Sequence, residues 1–521
     1  MMSPPSWEVL YRASAFIAEE MGVALKRSAL SPNIRERLDH SCALADERGR
    51  IVAQAEHIPV HLGSFRVGLS NALSWLEKEG LELGEGDMLA LNDPYISGTH
   101  LNDVMLLAPV YYRGEVVAYV VNKAHHVDIG GPVPGSINPQ ARTLYEEGLI
   151  IPPVRLVRAG HLDEGLLGLI EANVKAAHVS RGDLGAQLAA NLRGIRMLQE
   201  LLERRGLEAL REAWERALAH GRELALRQMG SWRAGTYEAE DYLELGERDL
   251  RIRLRLQIGE RGIRADFTGT DQEVEAPLNA VYGVTYSATA FAVRCALERE
   301  VPTNEGFYAL IEVRAPLGSL VNPHRPAPVA GGNLETSQRV ADVAFRALAQ
   351  ALPHRIPAAG SGTMMNVLLG GVGPAGPWAY YETIGGGTGA RPGRHGVSAV
   401  QVNMTNTLNT PIEVAERAYP LLFTAYRIRE GSGGRGRYRG GDGIVRAFRV
   451  LERCRLSLLA DRFRNPPWGL WGGEAGRPGA AHVRRAKGQE LALPSKCTLE
   501  LEPGDEVILE TPGGGAMYPE P

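Results

Sequence analysis

The sequence predicts an α+β fold: mixed β-sheets with packed helices, a helical central segment and a β-rich C-terminal layer. Three observations carry this. Apolar residues alternate with period two in LRIRLRLQI and through most of 236–267, which reads as half-buried strands. Residues 166–229 are dominated by Ala, Leu, Glu and Arg with a polar and an apolar side, the pattern of surface helices on a core. After about Ala415, short apolar runs alternate with glycine turns. A chain of 521 residues exceeds one ordinary core, so several domains are expected. We place them at 1–160 (an N-terminal α/β region), 161–230 (the helical segment), 231–410 (an α+β, glycine-rich region) and 411–521 (the β-rich layer).

The elements follow in order. Pro4-Pro5 precedes a stretch with apolar residues at helical spacing, so a helix should run from about Ser6 to Ser28. Ser41 to Ala45, a turn at Asp46-Glu-Arg-Gly, and Ile51 to Ala55 read as a hairpin. Val104 to Tyr112 and Val116 to Val121 read as a second, turning at Arg113-Gly114-Glu115. Thr285 to Leu297 and Thr336 to Leu352 have helical spacing.

The second hairpin carries the most informative residues. Pairing Tyr112 with Val116 also places Asp103 opposite His125, where opposed Cβ atoms lie about 4.5–5.5 Å apart. A one-residue slip would substitute His126. His100 sits in the approach loop. A single histidine at a strand end is ordinarily a hydrogen-bonded surface residue, but histidines number only 13 in the chain and this hairpin gathers three with an aspartate. Three nitrogen and oxygen ligands with an open position describe a hydrolytic metal site. In the first hairpin, pairing Asp46 with Ile51 brings Asp39 near His57, so Asp39, His57 and His61 are further candidates.

Composition narrows the function. With 57 basic against 61 acidic residues the formal net charge is −4, and the basic stretch Arg435 to Arg439 is short and glycine-diluted, so no nucleic-acid partner is expected. The apolar runs are too short to span a bilayer, and the start has no signal-peptide pattern, so the expected location is cytoplasmic and off the membrane. Cys42, Cys295, Cys454 and Cys497 form no C-x-x-C pair and read as reduced thiols; Cys42 as a nucleophile beside histidines is the minor alternative. The 61 glycines cluster at 331–333, 360–363, 384–390, 431–443 and 512–516, which marks sharp turns or close approach to backbone or ligand. GGNLETSQR ends in a helix-start pattern whose amides could face a phosphate or carboxylate, with Lys123, Arg142 and Arg339 adding charge. Arg35 and Arg37 are expected in salt bridges.

The string NDPYISGTHLNDVMLLAPVYYRGEVVAYVVNKAHHVDIGGPVPGSINPQARTLYEEGLIIPPVRL resembles the hydantoinase B/oxoprolinase family, and so do IRERLDHSCALADERGRIVAQAEHIPVHLGS, GDLGAQLAA, ADFTGT, NEGF, GGNLETSQR, IGGGTGARPGRHG, NTPIEVAERAYP and LETPGGG. The resemblance covers essentially the whole chain. It implies a B-type subunit of an ATP-dependent cyclic amide hydrolase, acting in a hetero-oligomer with an A-type subunit of actin-like ATPase fold that phosphorylates the substrate. ATP would bind that partner; this chain has no G-x-x-x-x-G-K-[ST] loop. The family's metal centre matches His100, Asp103 and His125, with Asp39 as a fourth ligand. Zinc, manganese or iron would accept such donors. His126 could orient a ligand or move a proton, and Asp128 is the alternative. Hydantoin, 5-oxoproline, other lactams and ketones stay open as substrates; a ketone carboxylase subunit and a non-catalytic, metal-stabilised scaffold are the alternatives.

Overall fold

The computed structural model describes residues 6–374 and 376–519, and in it the chain is α+β with four sheets. The first helix, Trp7–Ser28, starts where the apolar spacing starts; Pro4-Pro5 lie outside the described residues. The first sheet has seven antiparallel strands in the order Ile51–Ala55, His40–Asp46, Glu115–His125, Asp103–Tyr112, Met88–Leu91, Val154–Arg158, His161–Leu162. Side chains alternate across it, as a strand requires. Cys42, Leu44, Ala118, Val120 and Ala124 pack with Trp7–Ser28 and Ala177–Arg205 on one face. Ala43, Ala45, Met105, Leu107 and Val121 pack with the helix Pro59–Lys78 on the other. All four cysteines are free, and Cys42 is fully buried, with its thiol pushed up by that burial and so away from the thiolate a nucleophile needs.

The helical centre resolves into Glu164–Asn173, Ala177–Arg205 and Leu207–Met229, with Gly206 in the left-handed region between the last two. Strands Gly235–Leu245, Arg248–Gly259, Gly262–Asp266 and Ile311–Arg314 make the second sheet, with the helices Tyr282–Ala296 and Ser337–Ala351 sharing its core. The third joins Asn366–Gly373 and Gly376–Glu382 to Cys454–Leu459 and Lys496–Leu501, so strands from either side of residue 410 share one layer. The fourth is Leu421–Arg429, Gly443–Val450, Glu506–Glu510, Ala480–Arg484 and Glu490–Leu493.

The glycine clusters serve backbone contact. A Cβ on Gly387 would lie 1.8 Å from the Gly441 carbonyl, and one on Gly332 would lie 1.8 Å from that of Asn279. The GGNLETSQR turn is therefore pressed against residues 277–280, and its arginine, Arg339, is buried among Asp241, Asp342 and Asp461 rather than facing a ligand. Arg142 is exposed.

Candidate metal centre

The second hairpin closes differently at its tip from the sequence-based register, yet meets it at the mouth. Arg113 and Gly114 both have positive φ (53° and 85°), the two-residue turn that matches strand twist, so Tyr112 pairs with Glu115 rather than Val116. A bulge then leaves Val117 unpaired between the Tyr111–Val116 and Val110–Ala118 pairs. The two one-residue differences cancel. Asp103 lies opposite His125 as the sequence suggests.

Strand parity decides which neighbours see one another. His125 and Lys123 share the face covered by Pro59–Lys78, while His126 takes the opposite face, where its Nε2 meets Gln187 Oε1 at 2.9 Å. Before the strand, the tight turn that puts the Asp103 N–H on the His100 carbonyl (3.0 Å) sets their side chains together. His100, Asp103 and His125 each offer an atom within 4.8 Å of the others, and all three are buried. Asp103 Oδ1 lies 3.3 Å from His100 Nε2 and 3.5 Å from His125 Nδ1. His61, from the first turn of Pro59–Lys78, approaches the other oxygen, Nε2 to Oδ2 at 3.4 Å, with its Nδ1 3.1 Å from Ser41 Oγ.

The donor set fits a divalent cation on an observation of this structure. Both Asp103 oxygens, both His100 ring nitrogens and His125 Nε2 are buried without a hydrogen-bond partner. Buried polar groups are nearly always satisfied, and orphaning a charged one is costly. A cation among them removes that cost. Burial raises the Asp103 carboxyl, but the His100 and His61 imidazoles outweigh it and hold it well below the usual carboxylate range. Burial lowers His125 against the pull of Asp39 and Asp103, which keeps its ring neutral, as a ligand must be.

Asp39 flanks this set: its Oδ2 lies 3.9 Å from His125 Nδ1, and its carbonyl accepts the His125 N–H at 3.1 Å. Leu38 before it has φ of 62°, a strained conformation for a branched side chain and a usual companion of functional sites. His57 goes elsewhere, its ring packed on His40 with centroids 4.9 Å apart and its Nε2 3.7 Å from Glu19. Asp128 also stands outside the cluster: its carboxylate accepts the Gly130, Gly135 and Lys175 N–H groups and organises its own loop.

Three neighbours were not read from the sequence as part of this cluster. The Tyr381 ring stacks on His125 at 4.7 Å and 12°, from a strand that the glycine-interrupted sequence conceals. Arg37, expected in a salt bridge, is fully buried and forms none among the described residues; it lies 4.6 Å over the Tyr381 ring and donates to Asn33, the Tyr381 carbonyl and Thr383. Arg35 does approach Glu36, at 4.0 Å. Lys123 is fully buried, its ammonium lowered to about 7 by that burial against the pull of Asp103.

Fold and site together define an α+β protein with a buried His–Asp group, of metal-binding composition, at the mouth of a sheet hairpin. The chain belongs to the hydantoinase B/oxoprolinase family, whose sequence pattern matches residues 3–518. It is 47% identical over 508 residues to an uncharacterized protein of Methanocaldococcus jannaschii, covering 98% of this chain and 89% of that one. It is 37% identical to 5-oxoprolinase 1 of Arabidopsis thaliana over 96% of its own length but spans only 40% of that protein. The crystal structure of the ATP-dependent caprolactamase from Pseudomonas jessenii superposes with a TM-score of 0.92 at 28% identity, covering 100% of this chain and 92% of that one.

Proposed function

We propose that this chain is the B-type component of an ATP-dependent cyclic amide hydrolase, with His100, Asp103 and His125 holding a divalent zinc, manganese or iron ion. The orphaned, buried Asp103 carboxylate between two imidazoles is the observation that carries this reading. Bound there, such an ion would polarise an acyl oxygen and acidify a water at neutral pH. The protein's own part is to hold the two imidazoles and the carboxylate within one small volume. His61 steadies the second oxygen of Asp103. Asp39, at the edge of the set and the least buried of these acids and imidazoles, is placed to complete the coordination or to take a proton from an attacking water. His126 and Asp128, tied to Gln187 and to loop amides, support the scaffold of the site.

Substrate activation belongs to a partner. In this reading an A-type ATPase phosphorylates the lactam; that the structurally similar caprolactamase is ATP-dependent supports a nucleotide requirement, and this chain spans 40% of the plant 5-oxoprolinase. The test is to purify this chain with an A-type subunit and assay ATP-dependent turnover of hydantoin, 5-oxoproline and larger lactams in oxygen-18 water. Turnover should need both subunits and leave label in the new carboxylate. Turnover of a ketone that depends on bicarbonate, with no label gained from water on any lactam, would instead identify a carboxylase.

A further inference from the structure

We propose that Lys123 is a positioning residue for the metal centre: its ammonium fastens the strand that carries His125 to the helix that carries His61 and to the turn that leads into His100. The inference rests on the metal reading of that centre and adds what sets its geometry.

Lys123 Nζ donates to Ser64 Oγ at 2.9 Å and to the Ser97 carbonyl at 2.7 Å. Ser64 Oγ donates in turn to the His61 carbonyl at 2.9 Å, one turn earlier on the same helix. Ser97 ends the short turn Pro94–Ser97, which Gly98 caps in the left-handed region (φ 83°), and His100 follows two residues later. Lys123 is itself two residues before His125 on the same face of the strand. One fully buried side chain therefore joins its own strand to two other segments, and each of the three carries a group facing Asp103.

An ammonium is an expensive way to fill this space. Fully buried lysines are rare without a carboxylate partner, and no carboxylate lies in ion-pair range of Lys123 among the described residues. Its Nζ lies 5.4 Å from the centre of the Phe65 ring, a position that the end of a methionine side chain would fill at nearly the same volume and less cost. What methionine cannot do is hold a helix hydroxyl and a turn carbonyl at one point. The surroundings are built equally tightly: a Cβ on Gly68 would lie 2.3 Å from the Ser97 carbonyl that Lys123 grips.

The test compares wild type, Lys123→Met, Ser64→Ala and a control, Asn191→Leu, which breaks a buried Asn122 contact behind the sheet. Each is titrated with zinc and cobalt(II) by calorimetry, and the visible absorption of the cobalt-loaded protein is recorded. Loss of a group that orients metal ligands typically costs on the order of 10–100-fold in affinity. Lys123→Met should fall in that range with an altered cobalt band, Ser64→Ala should shift both in the same direction by less, and Asn191→Leu should lose stability while keeping affinity and band. A folded Lys123→Met with wild-type affinity and spectrum overturns the proposal. If Lys123→Met fails to fold, unchanged affinity and spectrum in Ser64→Ala overturn it. A wild-type chain that binds neither ion removes the metal reading itself, and this inference with it.

Discussion

Each oxygen of Asp103 faces imidazole nitrogens at 3.3–3.5 Å, and neither is satisfied by a hydrogen bond. A cation would give both oxygens the partner they lack. Asp103→Asn should therefore lose bound metal while the fold persists, with some loss of stability at neutral pH because the imidazoles no longer face a charged carboxylate; elemental analysis beside a thermal melt reads both. His126→Ala, on the opposite face, should keep its metal. His100, Asp103 and His125 were legible because a hairpin fixes parity, and parity fixes which histidine faces the aspartate. Asp39 was legible through the first hairpin and the family resemblance, and His61 only as a candidate beside His57. Tyr381 and Arg37 were not, since their partners lie more than three hundred residues apart in the chain and no local pattern encodes that contact.

At the scale of elements, the hairpins, the central helices and the 235–266 strands could be read from periodicity, whereas the helix Pro59–Lys78 could not. Its sequence, PVHLGSFRVGLSNALSWLEK, carries glycines and serines that lower helix propensity. The structure gives the reason for them. Gly63 abuts Ser287, where a Cβ would stand 2.6 Å from its Cα, and Gly68 abuts Ser97, so the helix surrenders local preference to come close to its neighbours. Gly68→Ala should then displace the turn ahead of His100. We expect about 1–3 kcal/mol of destabilisation, the usual cost of overpacking, together with weaker metal binding, measured by denaturant melts and calorimetry on the same sample. Unchanged metal affinity would separate the helix packing from the site. The strands around 366–382 escaped the sequence reading for a related reason: GGVGPAG interrupts their alternation.

Across the whole molecule, buried carboxyls tie the layers together and set a pH dependence. Glu335 Oε1 accepts the Met364 N–H and the Asn366 side-chain N–H, joining the glycine-led helix to the third sheet. Burial, with Asp461 adding to it, pushes its carboxyl from 4.5 up to about 8. The folded state thus prefers the protonated form, so this contribution is whole below about pH 4.5 and is lost as pH rises towards 8. Glu335→Gln should gain melting temperature relative to wild type between pH 5 and pH 8 and level off above; a constant difference would contradict this. No helix of the described residues is long and apolar enough to cross a membrane. The layers converge on one buried point, where the first sheet supplies His125 and Asp103, the third lays Tyr381 over His125 and the helix Pro59–Lys78 supplies His61. The most direct measurement is anomalous diffraction at the metal edge from crystals grown with zinc or manganese. A single strong peak within about 2.0–2.3 Å of donor atoms of His100, Asp103 and His125 is the expected result, and its absence there, or a peak held by other residues, would contradict it.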